Sequence, residues 1–224
     1  MCGRYTLTAE IDQVMTRFGV STITADYQPR YNIAPGQLIM AVIADSGKRR
    51  IGQLKWGLVP FWAKDEKLAF KMINARAETV HEKPAYKHAF QRKRCIIPAD
   101  GFYEWKATPA GKQPMRITLR SGEIFGMAGL FDTWEAPDGR KVHTCTILTT
   151  KPNELMAEIH DRMPVILRPE DEEIWLNRDA YDQDLLLSLC QPFPAEEMRA
   201  YPVSQMVGNV RIDSSKCIEE YLPE

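Results

Sequence analysis

Apolar residues recur at Ile11, Val14, Met15 and Phe18, three and four positions apart, and predict a helix over 8–18 with Thr8 as its cap. The pattern then changes. Residues 38–44 form an unbroken apolar run entered from Pro35-Gly36, which reads as a buried strand; 45–47 turns the chain into a second strand over 50–56. Shorter β-type runs follow at 95–98, 101–105, 115–120, 124–131 and 142–149. Pro109-Ala110-Gly111, Ser121-Gly122 and Asp138-Gly139 punctuate them at hairpin spacing. The period lengthens again at 83–91, 153–160, 169–176 and 181–189, where helices are expected, and 163–167 follows the second of these as an apolar strand. No repeat, low-complexity tract or flexible linker interrupts the chain. These elements predict an α+β fold, a curved, barrel-like antiparallel sheet with short flanking helices, in one domain over residues 1–224.

Composition narrows the function classes. With 29 Lys and Arg against 30 Asp and Glu, the formal charge is -1, so any contact with a polyanion requires a local patch. The five cysteines, Cys2, Cys95, Cys145, Cys190 and Cys217, are odd in number and widely spaced, and the four histidines show no ligand pairing. Reduced thiols, no metal and no organic cofactor are therefore expected. There is no run of eighteen apolar residues and no signal-like N-terminus, which points to a cytoplasmic protein without a membrane partner.

Five stretches mix aromatics, Gly and Pro with polar groups: YNIAPG at 31–36, WGLVPFW at 56–62, INARAET at 73–79, IPADGFYEW at 97–105 and IHDRMPVIL at 159–167. Polar residues at element boundaries are where sites are commonly built. Each also has a plain structural role. Asn74 is able to bond a loop backbone, Glu104 to be the outward residue of its strand, and His160 to sit favourably at a helix C-terminus. Cys2 is either a small buried apolar residue or, once Met1 is removed, a terminal 1,2-aminothiol. Spacing alone does not show that these groups meet.

MCGRY, YNIAP, WGLVP, NARAE, IPADGFYEW, HDRMP and VGNV occur in this order from residue 2 to about 210, and the chain thereby resembles the SRAP family of abasic-site processing proteins. The resemblance implies a monomeric sensor of abasic sites in single-stranded DNA that crosslinks itself to the lesion. Family members commonly sit with the SOS response, and such a protein would associate with the nucleoid when bound. An α-amine titrates near about 7.7–8, well below lysine at about 10.4, and so is available to attack the ring-opened aldehyde. The Cys2 thiol would then close on the imine to give a thiazolidine, a ring closure favoured by proximity.

By the same resemblance Cys2, Asn74, Glu104 and His160 match the family's active-site positions. Asn74 would hold the sugar or the terminus, Glu104 would move protons during ring closure, and His160 would act as general acid. Arg4, Arg76 and Arg162 are candidate phosphate contacts. Asn32, Pro35, Trp56, Phe61 and Trp62 are candidates for stacking or wedging beside the lesion; for Trp56 and Phe61 the alternative is core, Trp62 is the one expected to be exposed, and 87–94 reads as a solvated basic face.

Rival readings start from the same opening residues. A class II glutamine amidotransferase also uses an N-terminal cysteine, and a thiol peptidase would remove its own Met1. A noncovalent reader of modified DNA is a third possibility and leaves Cys2 without a role.

Overall fold

The computed structural model describes residues 2–45 and 47–221. In chain order its strands are β1 (Tyr5–Leu7), β2 (Thr22–Ile23), β3 (Arg30–Ile33), β4 (Leu38–Asp45), β5 (Lys48–Trp56), β6 (Asn74–Arg76) and β7 (Arg94–Ala99). They continue as β8 (Gly101–Thr108), β9 (Gly111–Leu119), β10 (Phe125–Glu135), β11 (Lys141–Thr150), β12 (Met163–Pro164), β13 (Ile166–Leu167) and β14 (Met198–Pro202). The α-helices are short: α1 (Ile11–Phe18), α2 (Pro84–Arg92), α3 (Glu154–Ala157), α4 (Glu172–Leu176) and α5 (Gln183–Ser188).

Five strands close on themselves. β5, β4, β7, β10 and β11 pair antiparallel in that order, and β11 returns to β5 through a parallel seam, Thr144 opposite Lys55 and Cys145 opposite Trp56. The barrel-like α+β architecture expected from the sequence is present. The parallel seam is an addition, because a closing partner distant in sequence leaves no hairpin signature. Ile51, Trp56, Cys95, Ile97, Leu130, Cys145 and Ile147 are all buried within the main core. Gly57 lies immediately beyond the seam at φ 130°, and a Cβ there would come within 2.7 Å of the Ala69 carbonyl oxygen. Only glycine fits that turn.

A second, antiparallel sheet has the order β14-β9-β8-β1-β3. Tyr103, Tyr201, Val203, Val207 and Cys217 form a separate buried cluster where the C-terminal segment packs on this sheet. The two sheets join where the chain leaves β7 and enters β8, with Asp100 as the sole intervening residue.

Asp100 grips the N-terminal segment. Its Oδ1 accepts from the Thr6 hydroxyl at 2.6 Å and from Arg116 Nη2 at 3.2 Å; its Oδ2 accepts from the Thr8 hydroxyl at 2.7 Å and from the backbone N–H groups of Thr8 and Ala9. This explains a correction at α1. Thr8 does not cap the helix: its N–H and hydroxyl both donate to Asp100, and the chain bends at Ala9 before Glu10 takes the cap position. Glu10 and Gln13 instead form a capping box, with Glu10 N–H donating to Gln13 Oε1 at 3.0 Å. Val14 and Phe18 are then fully buried, each contributing about 2 kcal/mol by removal from water.

Two further boundaries differ from the periodicity. Ser121-Gly122 is not a hairpin turn: β9 pairs with β8 and β14, and the chain passes there to the other sheet. The helix expected over 153–160 ends after one turn, since the chain must become extended for Met163 and Pro164 to pair with Thr150 and Thr149. The turn expected at 45–47 includes Ser46, which lies outside the described residues.

Replacing Asp100 by Ala would strand the Arg116 guanidinium in a site where its side chain is 9 % exposed. The expected loss of stability is about 3 kcal/mol, read as a lower urea midpoint at unchanged slope. An unchanged midpoint would remove Asp100 from this role.

Candidate active site

The short β1 brings Cys2 against the barrel, where it is fully buried and its sulfur accepts from the Arg4 backbone N–H. Burial pushes the thiol far above its ordinary value, and the negative charge of Glu104 acts in the same direction. Cys2 is therefore held as a neutral thiol. Glu104 projects from β8 with its side chain 3 % exposed, and burial raises its carboxyl to about 7. Its Oε2 lies 3.9 Å from His160 Nε2.

His160 follows α3 in the segment that turns toward β12. Burial lowers its pKa, while Asp161 opposes that shift. A carboxyl moved up and an imidazole moved down are both biased toward their uncharged forms. Such a pair is able to pass a proton near neutral pH.

Asn74 opens β6, which lies parallel to β11 with Asn74 opposite Ile147. Its Nδ2 donates to the Ile147 carbonyl at 3.4 Å, and its buried Oδ1 has no hydrogen-bond partner among the described residues. A chain of contacts ties it to the N-terminal strand. Tyr5 packs edge-on against Trp56 at 5.6 Å, and the Trp56 indole donates to the Ile73 carbonyl at 2.8 Å. The orphaned Oδ1 is an acceptor suited to an incoming N–H or O–H donor.

The candidate DNA contacts fall into two groups. Arg76 and Trp62 are exposed. Pro35 lines an apolar cavity of about 300 Å³ with Trp56, Phe70 and Ile73. Asn32 is fully buried, and its Nδ2 donates to the Val207, Asn209 and Ile212 carbonyls. Arg4 Nη1 donates to Asn32 Oδ1 at 3.0 Å and to the Val207 carbonyl at 2.6 Å. These two side chains hold the VGNV loop in place. Arg162 is mostly buried, its guanidinium paired with Glu78.

Of the two residues left between core and stacking, Trp56 is buried and Phe61 is 54 % exposed with its ring against His88. Phe70 is 78 % exposed and was not singled out, since nothing in its local pattern distinguishes it from a packed residue. The basic stretch 87–94 is not simply a solvated face. Arg94 is fully buried among backbone carbonyls, including those of Trp175 and Phe90, and Lys93 pairs with the buried Asp132 at 2.6 Å. Sequence reasoning also passed over Glu78 and Asp100, though both lie inside the quoted motifs NARAE and IPADGFYEW. Among the described residues no group of three or more His, Cys, Asp or Glu is placed to hold a metal, and no helix is long and apolar enough to cross a membrane.

The mixed five-strand barrel and the strand that runs beside it bury Cys2 near the Glu104 carboxyl, which faces the His160 imidazole. The chain belongs to the SRAP family, "SOS response associated peptidase", whose model matches residues 1–210. It is 51 % identical to the abasic site processing protein YoqW of Bacillus subtilis (strain 168), over 99 % of this chain and all of that protein. It is 35 % identical to the abasic site processing protein HMCES of Gallus gallus, over 86 % of this chain and 66 % of that one. A crystal structure of a protein from Bacteroides thetaiotaomicron superposes with a TM-score of 0.87 at 29 % identity, covering 99 % of this chain and all of that chain.

The raised carboxyl of Glu104 gives a pH prediction. A carboxyl at about 7 in the folded protein, against 4.5 ordinarily, favours folding below 4.5 and loses that contribution as pH rises through 7. Glu104→Gln, which stays neutral, should therefore gain stability relative to the parent between pH 5 and 8, measured by urea denaturation at each pH. A difference independent of pH would contradict the shift.

Proposed function

We propose that this protein captures abasic sites in single-stranded DNA by a covalent bond through Cys2. The observation that carries the reading is the buried Glu104 carboxyl, 3.9 Å from His160 and acting on the Cys2 thiol. Removal of Met1, which lies outside the described residues, would give the Cys2 amine. That amine adds to the C1′ aldehyde of the opened sugar, and loss of water leaves an imine. The sulfur then adds to the imine carbon while its proton passes to the nitrogen, closing a thiazolidine. Aminothiol and aldehyde go to ring and water, with no oxidant or metal required.

Each group has a part in that sequence. A neutral thiol does not compete with the amine for the aldehyde, so the imine forms first and the sulfur closes on it. Glu104 and His160, 3.9 Å apart, take and return the protons of dehydration and closure. Asn74 Oδ1 accepts from the amine or from a sugar hydroxyl. Exposed Arg76 suits a flanking phosphate, and the exposed Trp62, Phe61 and Phe70 suit unstacked bases. A glutaminase or peptidase reading needs a thiolate, and the burial that pushes the thiol up opposes one.

The test is mature protein incubated with single-stranded DNA carrying one abasic site, resolved on a denaturing gel. A retarded, heat-resistant band should appear only with the lesion, vanish in Cys2→Ala and be blocked when Met1 is retained. Its absence for the parent protein would overturn the reading. Glu104→Gln and His160→Ala should each slow the appearance of the band about 100-fold with noncovalent binding intact. Arg76→Ala should weaken binding and lower the salt slope by about 1.

A further inference from the structure

Both terminal nitrogens of Arg162 are engaged within the fold, while its buried Nε has no hydrogen-bond partner among the described residues. Its Nη1 donates to Glu78 Oε1 at 2.7 Å and its Nη2 to Glu78 Oε2 at 2.8 Å, a bidentate fork of the kind that otherwise grips a phosphate. Nη2 also donates to the Thr149 carbonyl at 2.6 Å. The β6–β11 ladder produces this arrangement: Arg76 lies opposite Thr149, and Glu78 stands two residues further along the same chain. The Arg162 side chain is 14 % exposed and that of Glu78 48 %, so this is not a pair of loose surface side chains.

The backbone of Arg162 meets the active site. Its N–H donates to His160 Nδ1 at 3.1 Å. A backbone N–H only donates, so while this contact holds, Nδ1 of the neutral ring carries the lone pair and Nε2 the proton. Nε2 is the nitrogen that faces Glu104. The exposed Asp161 carboxylate, 2.8 Å from the same Nδ1, suits the other protonation state, in which Nδ1 also bears a proton.

We propose that Glu78 is a positioning residue: by clamping Arg162 it fixes the 160–162 segment so that His160 presents Nε2–H to Glu104 and to the reacting sugar. The consequence for capture rests on the abasic-site reading, but the state of the ring does not. Removing the clamp should free the segment, let the ring populate both tautomers and misplace the acid relative to the imine. Misplacement of a catalytic group by about 1 Å is enough to cost up to about 100-fold.

The test pairs ring spectra with capture kinetics. In protein without DNA at pH 8, 15N-resolved NMR of the His160 ring should show a protonated Nε2 and an unprotonated Nδ1. In Glu78→Gln the two signals should move toward one another, and single-turnover capture should slow at least about 10-fold while affinity for undamaged single-stranded DNA holds or tightens. Arg162→Lys should do the same to the ring and the rate, since lysine offers charge without a fork. Backbone amide spectra of both variants, unchanged outside 74–79 and 158–164, establish that they are folded. Retention of the parent ring state in both folded variants would overturn the proposal. So would faster capture with tighter binding in Glu78→Gln, which would make Glu78 a competitor of phosphate for Arg162. If the parent protein captures no abasic DNA, the functional reading fails and the ring spectra alone decide the role of Glu78.

Discussion

The Asp100 carboxylate is the constraint on which the working parts of this molecule depend. It sits where the chain passes from the closed barrel into the second sheet, and it takes donors from Thr6, Thr8, Ala9 and Arg116. A short N-terminal strand has little pairing of its own to hold it. Fastened at this corner, β1 lies between β8 and β3, and Cys2 is carried into a buried position beside Glu104. The N-terminal segment that carries Cys2 is thus placed by a residue almost half the sequence away.

Burial then does the electrostatic work. It keeps the Cys2 sulfur protonated, raises the Glu104 carboxyl and lowers the His160 imidazole, in each case because a low-dielectric site disfavours the charged form. The same physical cause gives three different chemical consequences: a masked nucleophile, an acid that still holds its proton near neutrality, and a base that is neutral there. No unusual residue types are needed. Arg162 and Glu78 add a local device, since the fork that fixes one side chain also fixes the backbone N–H that selects the ring tautomer.

A net charge of -1 required any polyanion contact to be local, and the arginines divide accordingly. Arg4, Arg94, Arg116 and Arg162 are wholly or largely taken up by carbonyls and carboxylates within the fold. Arg76 is left exposed, as are the rings of Phe61, Trp62 and Phe70 in the segment that follows the barrel seam. Counting arginines near motifs therefore overstates the phosphate-binding surface.

Hydrophobic periodicity and glycine turn signals determined the strands over 38–44 and 50–56, the hairpins around Gly111 and Gly139, the helix ending at Phe18 and the α+β class, because these depend on contacts between near neighbours in the chain. Ordered motifs likewise carried the family, since each keeps its local residues whatever they touch. What only the tertiary structure decided is pairing at a distance: the parallel seam between β5 and β11, the capture of Thr8 by Asp100, the burial of Asn32 and the exposure of Phe61. It also decided that Glu104 and His160 meet, at 3.9 Å, from strands and loops that no spacing rule connects. A side chain's type is written in the sequence, but its solvation and its partner are properties of the packed chain, and those two quantities set its chemistry.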